Sequence, residues 1–291
     1  MPKKSKKEVA AINIRIVDKD KREYKTLLEE IAQLKRGVRV YGDTYVAINS
    51  FNKEDCSGVI SKYSEIDLDG NWFDTEDFDM AEPSKVEDIK IPRNLKPNLS
   101  QFFLHLDPER HVIVCEIYAA SRSLSARSIQ KYFSQILSSK EITAAFGTVE
   151  ADFVKSFDVV EEIVESEMLR EIRFVIRPPN PDDLSSKLAA VIEERIVEQN
   201  GEQYEEKLQA RKDSNLKLNG RSKTLGYIAA ENGEIKGKKI ENGVLRPIDT
   251  DDTPLTDIGT FEPESSDIGN FKSLVDRILD KIDLNRKRFG G

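Results

Sequence analysis

The chain has 291 residues, which is enough for two domains with hydrophobic cores of their own. Its composition, 38% hydrophobic and 34% charged with a net charge of −8, excludes a wholly disordered chain. No apolar run approaches the ~18 residues of a membrane-spanning helix, and the N-terminus lacks the apolar core of a secretory signal. We therefore expect a cytoplasmic protein without membrane contact. Two cysteines, Cys56 and Cys115, are too few for a disulfide framework, so both are expected to be reduced.

The first ninety residues predict a small α+β lobe. Alternating apolar residues favour a strand over residues 9–17, and the helical spacing of Leu27, Leu28 and Ile31 predicts a helix that ends before Gly37. Two strands around a Gly-Asp turn and a further strand follow between residues 37 and 66. Residues 81–100 contain three prolines and little periodicity, which is typical of a connector.

A β-hairpin opens the second predicted lobe, residues 91–247. The stretch "FFLHLDPERHVIVCEI" places two apolar strands around Asp-Pro-Glu-Arg. Pairing Leu106 with His111 and His105 with Val112 would put the two imidazoles on opposite faces of the sheet. That arrangement argues against a shared metal site, and we predict neither a metal nor a cofactor.

A helix, a strand, a helix and another strand follow the hairpin. Ser125 is expected to cap the first helix, whose apolar stripe runs from Ile129 to Leu137. The order β, β, α, β, α, β resembles a split βαβ layer with helices on one side.

The stretch "IRFVIRPPNPDD", residues 172–183, ends this last strand at two prolines. Arg173 and Arg177 share one face of the strand, and we expect them to pair with acids. Asn180 is expected to cap a helix whose first turn carries Asp182 and Asp183, and carboxylates at that position disfavour a bound anion. The helix is predicted to bury one face, which carries Leu184, Leu188, Val191 and Ile192.

Charge is segregated along the chain. Residues 207–246, the basic module, carry ten bases and four acids, whereas residues 65–90 carry ten acids and two bases. Asn-Gly pairs at 232–233 and 242–243 predict two hairpins in the basic module, and residues 203–220 predict a basic helix or loop. We expect an acidic linker over residues 248–266, where acids occur without bases. An amphipathic helix is predicted over residues 267–291, and its stripe must pack on its own chain or on a dimer partner.

The basic module is the candidate binding site. Clustered lysines and arginines can supply the salt-sensitive, sequence-independent part of nucleic-acid binding, although a run of charge is also typical of a solvated face. The candidate residues for phosphate contact are Arg211, Lys212, Lys217, Arg221, Lys223, Lys236, Lys238 and Lys239.

Catalytic patterns are weak. Glu234-Ile235-Lys236 has the acid-x-lysine spacing of metal-dependent nucleases, but the same spacing recurs in this highly charged chain, for example at Glu23-Tyr24-Lys25 and Glu205-Glu206-Lys207. Nucleotide-binding glycine loops and a serine-nucleophile elbow are absent from the sequence. We therefore predict no catalytic residue.

Three motifs carry a family resemblance: "IPRNLKPN" (91–98), the hairpin motif and "IRFVIRPPNPDD". Together they resemble a bacterial domain family of unknown function that is met beside phage-defence and mobile-element genes. The order of elements over residues 91–247 also loosely resembles the RexA-type phage-exclusion proteins. This resemblance implies DNA binding without sequence preference.

The sequence thus predicts an α+β protein with two lobes, each a small mixed or antiparallel sheet with helices on one face, plus a C-terminal helix. The expected domains are residues 1–90, 91–247, 248–266 and 267–291. The expected function is non-catalytic, non-specific binding of nucleic acid, DNA in the first place, as a component of bacterial anti-phage defence. A metal-dependent nuclease and a protein-interaction subunit of a defence complex are the alternatives. Expected partners are a protein from the same operon and a second copy in a homodimer.

Overall fold

The computed structural model describes residues 4–67, 70–87, 89–178 and 187–289, and it confirms a mixed α+β fold. Within these ranges the helices are α1 (Tyr24–Gln33), α2 (Pro83–Glu87), α3 (Ala126–Leu137), α4 (Lys140–Phe146), α5 (Phe157–Val164), α6 (Lys187–Glu198), α7 (Gly220–Asn232) and α8 (Asp267–Phe289). The strands are β1 (Ser5–Ile16), β2 (Val38–Tyr41), β3 (Thr44–Asn52), β4 (Ser57–Ser64), β5 (Phe73–Asp74), β6 (Asp79–Met80), β7 (Ser100–Asp107), β8 (Val112–Ala119), β9 (Arg122–Ser123), β10 (Val149–Phe153), β11 (Leu169–Ile176), β12 (Tyr204–Gln209), β13 (Gly233–Glu241), β14 (Val244–Asp249) and β15 (Thr256–Phe261).

A nine-stranded antiparallel sheet forms the larger part of the molecule. Its strands run in the order β10-β1-β8-β7-β4-β3-β2, while β15 adds to β1 and β9 adds to β8. Helices α1, α3 and α4 cover one face of this sheet, where Ile12, Leu28 and Phe133 are buried. Helix α8 covers the other face through Phe271 and Ile278. The central strands are thus buried on both faces, which explains the nearly continuous apolar run in β1.

A second, four-stranded antiparallel sheet has the order β12-β11-β13-β14. Helices α5, α6 and α7 pack on one face of it and enclose a separate core around Ile172, Phe174 and Ile235. The other face carries no helix in the described structure. Because side chains alternate along a strand, Lys207 of β12 and Lys236 of β13 fall on that open face together with Arg173 of β11.

The amphipathic helices agree with the sequence-based predictions. Ser125 Oγ accepts a hydrogen bond from the Ser128 amide and caps α3. The predicted stripe of α8 is buried against its own chain, on β1, β7 and β15. The family motif also behaves as predicted where it is described, because Arg177 pairs with Asp152 at 2.6 Å and Arg173 pairs with Glu205. The predicted cap at Asn180 and the acidic first turn lie outside the described residues.

The predicted register of the β7–β8 hairpin is wrong by two residues. Leu106 pairs with Ile113 and His105 pairs with Val114. The four residues 108–111 form the turn, and His111 closes it with a φ of 55°. The turn has the predicted length but lies one residue further along the chain, and the Asp107 carboxylate accepts hydrogen bonds from the amides of residues 109 and 110.

Three predictions about the second sheet and its neighbours are also wrong. Residues 204–209 form strand β12 instead of a helix or loop, because Tyr204 and Leu208 alternate onto the core of the second sheet. The Asn232-Gly233 pair does not form a hairpin turn: α7 ends there and β13 begins at once. Strands β10 and β11 lie in different sheets, so the predicted split βαβ layer is not formed.

Two further differences come from long-range pairing. Residues 256–261 lie inside the predicted acidic linker, but they form strand β15. This strand pairs with residues 5–10 of β1 and so extends the large sheet. The large sheet also contains strands from both sides of the predicted boundary at residue 90, since β4 pairs with β7. In α6, Ile192 is buried as predicted, but Val191 is 57% exposed and lies outside the apolar stripe.

Candidate functional site

The eight predicted basic residues lie in the loop after β12, on α7 and on β13, and four of them are paired with carboxylates. Their partners come from other elements as well as from β13 itself. The ion pairs are Arg221 with Glu206 at 3.6 Å, Lys223 with Glu165 at 2.5 Å, Lys236 with Glu234 at 2.9 Å and Lys239 with Glu162 at 3.1 Å. A cation that is already paired with a carboxylate contributes less to the free energy of phosphate binding, because the phosphate must compete with that carboxylate.

The open face of the second sheet is balanced in charge. Lys207, Arg173 and Lys236 lie in one row across β12, β11 and β13, since Arg173 is directly opposite both lysines. Each cation of the row pairs with an acid in a neighbouring row: Lys207 with Glu171 at 3.1 Å, Arg173 with Glu205, and Lys236 with Glu234. Three cations against three carboxylates make this face a poor phosphate surface.

The other predicted cations lie together at one end of this sheet, where β11 begins. The loop after β12 folds back over this end, as the Ala210 amide donates to the Arg170 carbonyl and the Leu216 amide donates to the Leu169 carbonyl. This loop carries Arg211, Lys212 and Lys217, all exposed. Lys238 reaches the same end from the other side of β11, where it pairs in register with Glu171.

Sequence reasoning missed one member of this group, Arg170, whose guanidinium donates to the Ser214 carbonyl and so holds the loop. We call Arg170, Arg211, Lys212, Lys217 and Lys238 the basic end. Across the part of the chain that the structure describes, no carboxylate lies within ion-pair distance of these five. Arg170 is far from the basic module in sequence, and the pairing of β11 with β12 and with β13 brings them together.

The nuclease-like triplet contains an ion pair. The Lys236 ammonium lies 2.9 Å from Glu234 Oε1 and occupies the carboxylate that a metal would need. Among the described residues, His, Cys, Asp and Glu nowhere form a group of three placed to hold a metal ion. The ion pair raises the pKa of Lys236, chiefly through its hydrogen bond to Glu234, so the lysine stays cationic.

The two histidines lie apart from this region. His105 is on β7, and burial lowers the pKa of its imidazole. His111 is buried in the turn and packs on the Tyr24 ring at 4.9 Å between centroids. Both cysteines are buried free thiols, and burial raises the pKa of Cys115. Cys56 and Cys115 belong to the core of the large sheet.

A polar junction between the two sheets is the second charged cluster, and sequence reasoning did not identify it. Lys155 is only 1% exposed, and its ammonium donates to Asp152 at 3.2 Å and to Asp251 at 3.0 Å. Arg177, at the end of β11, donates to the other oxygen of Asp152. Nearby, Glu231 accepts from Arg286 at 2.9 Å, which ties α7 to α8. Buried charges of this kind are stable only when they are paired.

A cavity of about 420 Å³ opens beside Lys155. Asp249, Asp251 and Asp252 line it with Arg127, and Arg127 pairs with Asp252. Burial on its own would raise the pKa of Asp251, but the ammonium of Lys155 more than compensates, so this pKa lies below its ordinary value. Asp251 is therefore ionised at neutral pH and is paired with Lys155. The arrangement is that of an ion-pair network joining two sheets.

Another cavity has a volume of about 530 Å³. The family motif "IPRNLKPN" forms one wall of it, and Tyr45 forms part of the opposite wall. Glu65 pairs with Lys96 inside it, and this bond lowers the pKa of Glu65. Cations and carboxylates again balance along its walls, so the cavity selects neither sign of charge.

Comparison with protein families matches the chain over residues 5–276 to a family described as a domain of unknown function, DUF4747. The chain belongs to the DUF4747 family. The match extends from β1 into α8 and includes both sheets, the basic end and the polar junction. No curated protein sequence matches this DUF4747 chain. In the described residues, no helix is both long and apolar enough to cross a membrane.

Proposed function

We propose that this DUF4747 protein binds nucleic acid without sequence preference, DNA in the first place, through the basic end. The observation that supports the proposal is the convergence of five cations from β11, from the loop after β12 and from β13. Pairing with described carboxylates removes Arg221, Lys223, Lys236 and Lys239 from the original candidate set. The proposed phosphate contacts are therefore fewer and lie closer together than the sequence suggested.

Such a site has a definite salt dependence. Each phosphate contact releases condensed counterions, and the slope of log K against log salt is about −0.9 per contact on double-stranded DNA. Five contacts would give a slope of about −4.5 on duplex and about −3.5 on single strands. Backbone contacts carry no sequence information, so affinities for different sequences of equal length should agree.

The test is fluorescence anisotropy with labelled duplex DNA, single-stranded DNA and RNA over a series of salt concentrations. The triple variant Arg211→Ala, Lys212→Ala, Lys217→Ala removes three cations of the basic end. The matched control Lys223→Ala, Lys236→Ala, Lys239→Ala removes the same charge from paired positions. We expect the first variant to flatten the salt slope by about three contacts and the control to change it little. Equal losses in both variants, or wild-type binding without a salt slope, would refute this interface.

The biological setting that we propose is bacterial anti-phage defence. Its support is the resemblance of the three short motifs to a family met beside phage-defence genes, together with the loose resemblance to RexA-type exclusion proteins. A defence component of this kind would act with a protein encoded in the same operon. Plaque counts on cells with and without the gene, with the basic-end triple variant as a third strain, test this proposal. Equal plaque numbers in all three strains would contradict it.

A further inference from the structure

The β5–β6 hairpin, residues 72–80, exposes large apolar side chains to solvent. Phe73 is 59% exposed, Phe78 is 80% exposed and Met80 is 66% exposed. The two phenyl rings touch edge to face at 5.3 Å, so they form one small apolar surface. Strand β5 pairs with β6 alone within the described structure, and the hairpin joins neither large sheet. Apolar groups gathered on a projecting hairpin are typical of a contact surface.

Acidic residues surround these rings and give the hairpin a strong charge. Residues 70–87 carry six acids and one base. That base, Lys85, bonds to Asp74 and Asp77, and the first of these bonds lowers the pKa of Asp74 to about 2. Glu76 and Asp79 have no lysine or arginine within ion-pair distance in the described residues. A partner surface must therefore offer cations beside a place for two aromatic rings.

The basic end of a second copy of this chain has that chemistry. Lys212 and Lys217 are exposed, and no described carboxylate lies within ion-pair distance of them. Beside them are the side chains of Met168, which is 50% exposed, and Leu216, which packs against the second core. Asn215 bonds to the Met168 sulfur, so this apolar border is held in place. Among the described residues, the ion pairs of the hairpin acids are those of Asp74 and Asp77 with Lys85, so the two surfaces do not pair with each other within one copy.

We propose that the acidic hairpin of one copy docks on the basic end of another copy. Phe73 and Phe78 would then lie against the Met168 border, while Glu76 and Asp79 face Lys212 and Lys217. The same cations would contact phosphate in the proposed function, so self-association and nucleic-acid binding compete for one surface. The self-association itself does not depend on nucleic-acid binding and is tested without it.

Sedimentation velocity over a range of protein concentrations, at low and at high salt, tests the docking in purified protein. We expect the weight-average mass of the wild type to rise above 33.1 kDa at low salt and to return to it at high salt. Glu76→Lys with Asp79→Lys, the hairpin variant, should weaken association about tenfold or more, and Lys212→Glu with Lys217→Glu, the loop variant, should do the same. An equimolar mixture of the two variants should associate again, because each supplies the charge that the other has lost.

Matched controls separate docking from general effects of charge and exposure. Lys25→Glu with Lys131→Glu makes the same charge change as the loop variant on exposed lysines of α1 and α3, and it should associate like wild type. Phe78→Ser should weaken association, whereas Leu284→Ser, at a residue 66% exposed on α8, should not. Circular dichroism confirms that each variant is folded. A monomeric wild type at every concentration and low salt, or a mixture that stays monomeric, would overturn the proposal even if nucleic acid binds.

Discussion

The Lys155 ammonium lies 3.0 Å from the Asp251 carboxylate, although the two residues are 96 positions apart in sequence. Exposure of the two side chains differs greatly, at 1% for Lys155 and 60% for Asp251. The cost of breaking the network therefore depends on which charge remains. A carboxylate left alone can be hydrated by solvent, whereas the buried ammonium cannot.

This asymmetry gives the first prediction. Replacing both acids, Asp152→Asn with Asp251→Asn, leaves Lys155 buried without a counter-charge and should lower the free energy of unfolding by about 3–5 kcal/mol. Adding Lys155→Met to the double variant should restore most of the loss, because methionine fills a similar volume without charge. Urea unfolding followed by circular dichroism measures both. If the triple variant is as unstable as the double, the loss comes from packing and the argument fails.

The second prediction concerns acid stability. The pKa of Asp251 in the folded chain is lowered, so it lies below the value of about 3.9 expected in the unfolded chain. Its contribution to stability is therefore present above pH ~4 and is lost as the pH falls through the lowered pKa. Lys155, Lys236 and Arg177 all act on this carboxylate in the same direction.

Asp251→Asn removes this titration, so the variant should lose less stability than wild type between pH ~4 and pH ~2. The measurement is the urea midpoint at a series of pH values. Asp252→Asn is the control, because Asp252 lines the same cavity and its pairing with Arg127 is exposed. A wild type and an Asp251→Asn variant with parallel curves would show that Asp251 does not titrate in this way.

The third prediction tests the direct passage from α7 into β13. A Cβ atom on Gly233 would lie 2.0 Å from the carbonyl oxygen of Val175 on the neighbouring strand. Gly233→Ala must therefore push β13 away from β11, and we expect a loss of at least about 2 kcal/mol. Gly220→Ala is the matched control: nothing lies within 4 Å of its Cβ, and alanine at a helix position should be neutral or stabilising by up to about 1 kcal/mol. Similar losses at both glycines would contradict this tight strand approach.

The two Asn-Gly pairs show how far local sequence determines the fold. Asn242 and Gly243 have φ values of 52° and 75° and form the predicted hairpin turn. The same dipeptide at 232–233 instead ends α7. There, the buried residues Leu225 and Ala229 give a helix that packs into the second core, and this packing outweighs the turn preference of the pair. Local propensity predicts structure only where no tertiary contact competes with it.

The same limit applies to the candidate site. The sequence identified the cations of the basic module, and four of them belong to the proposed interface. It could not show that Lys223 pairs with Glu165, 58 residues away, or that Arg170 joins the basic end. Amphipathic helices such as α3 and α8 were predictable because their periodicity is local, while the pairing of β15 with β1 joins the two ends of the chain.

The last prediction concerns this pairing of β15 and the helix packed beside it. Asp257 on β15 is 5% exposed, and Arg277 and Lys281 of α8 each lie 2.9 Å from its carboxylate. Asp257→Ala should lower the free energy of unfolding by about 1–3 kcal/mol and loosen β15 and α8 together, because both lose the same anchor. Amide hydrogen exchange should then speed up over residues 256–261 and 270–282 and stay unchanged in β11–β13. Asp252→Ala removes an acid whose arginine pair is exposed and should leave exchange in α8 as it is. The wild type must also exchange slowly over residues 256–261. If these residues were a free linker and not strand β15, they would exchange fast in both the wild type and the Asp257→Ala variant.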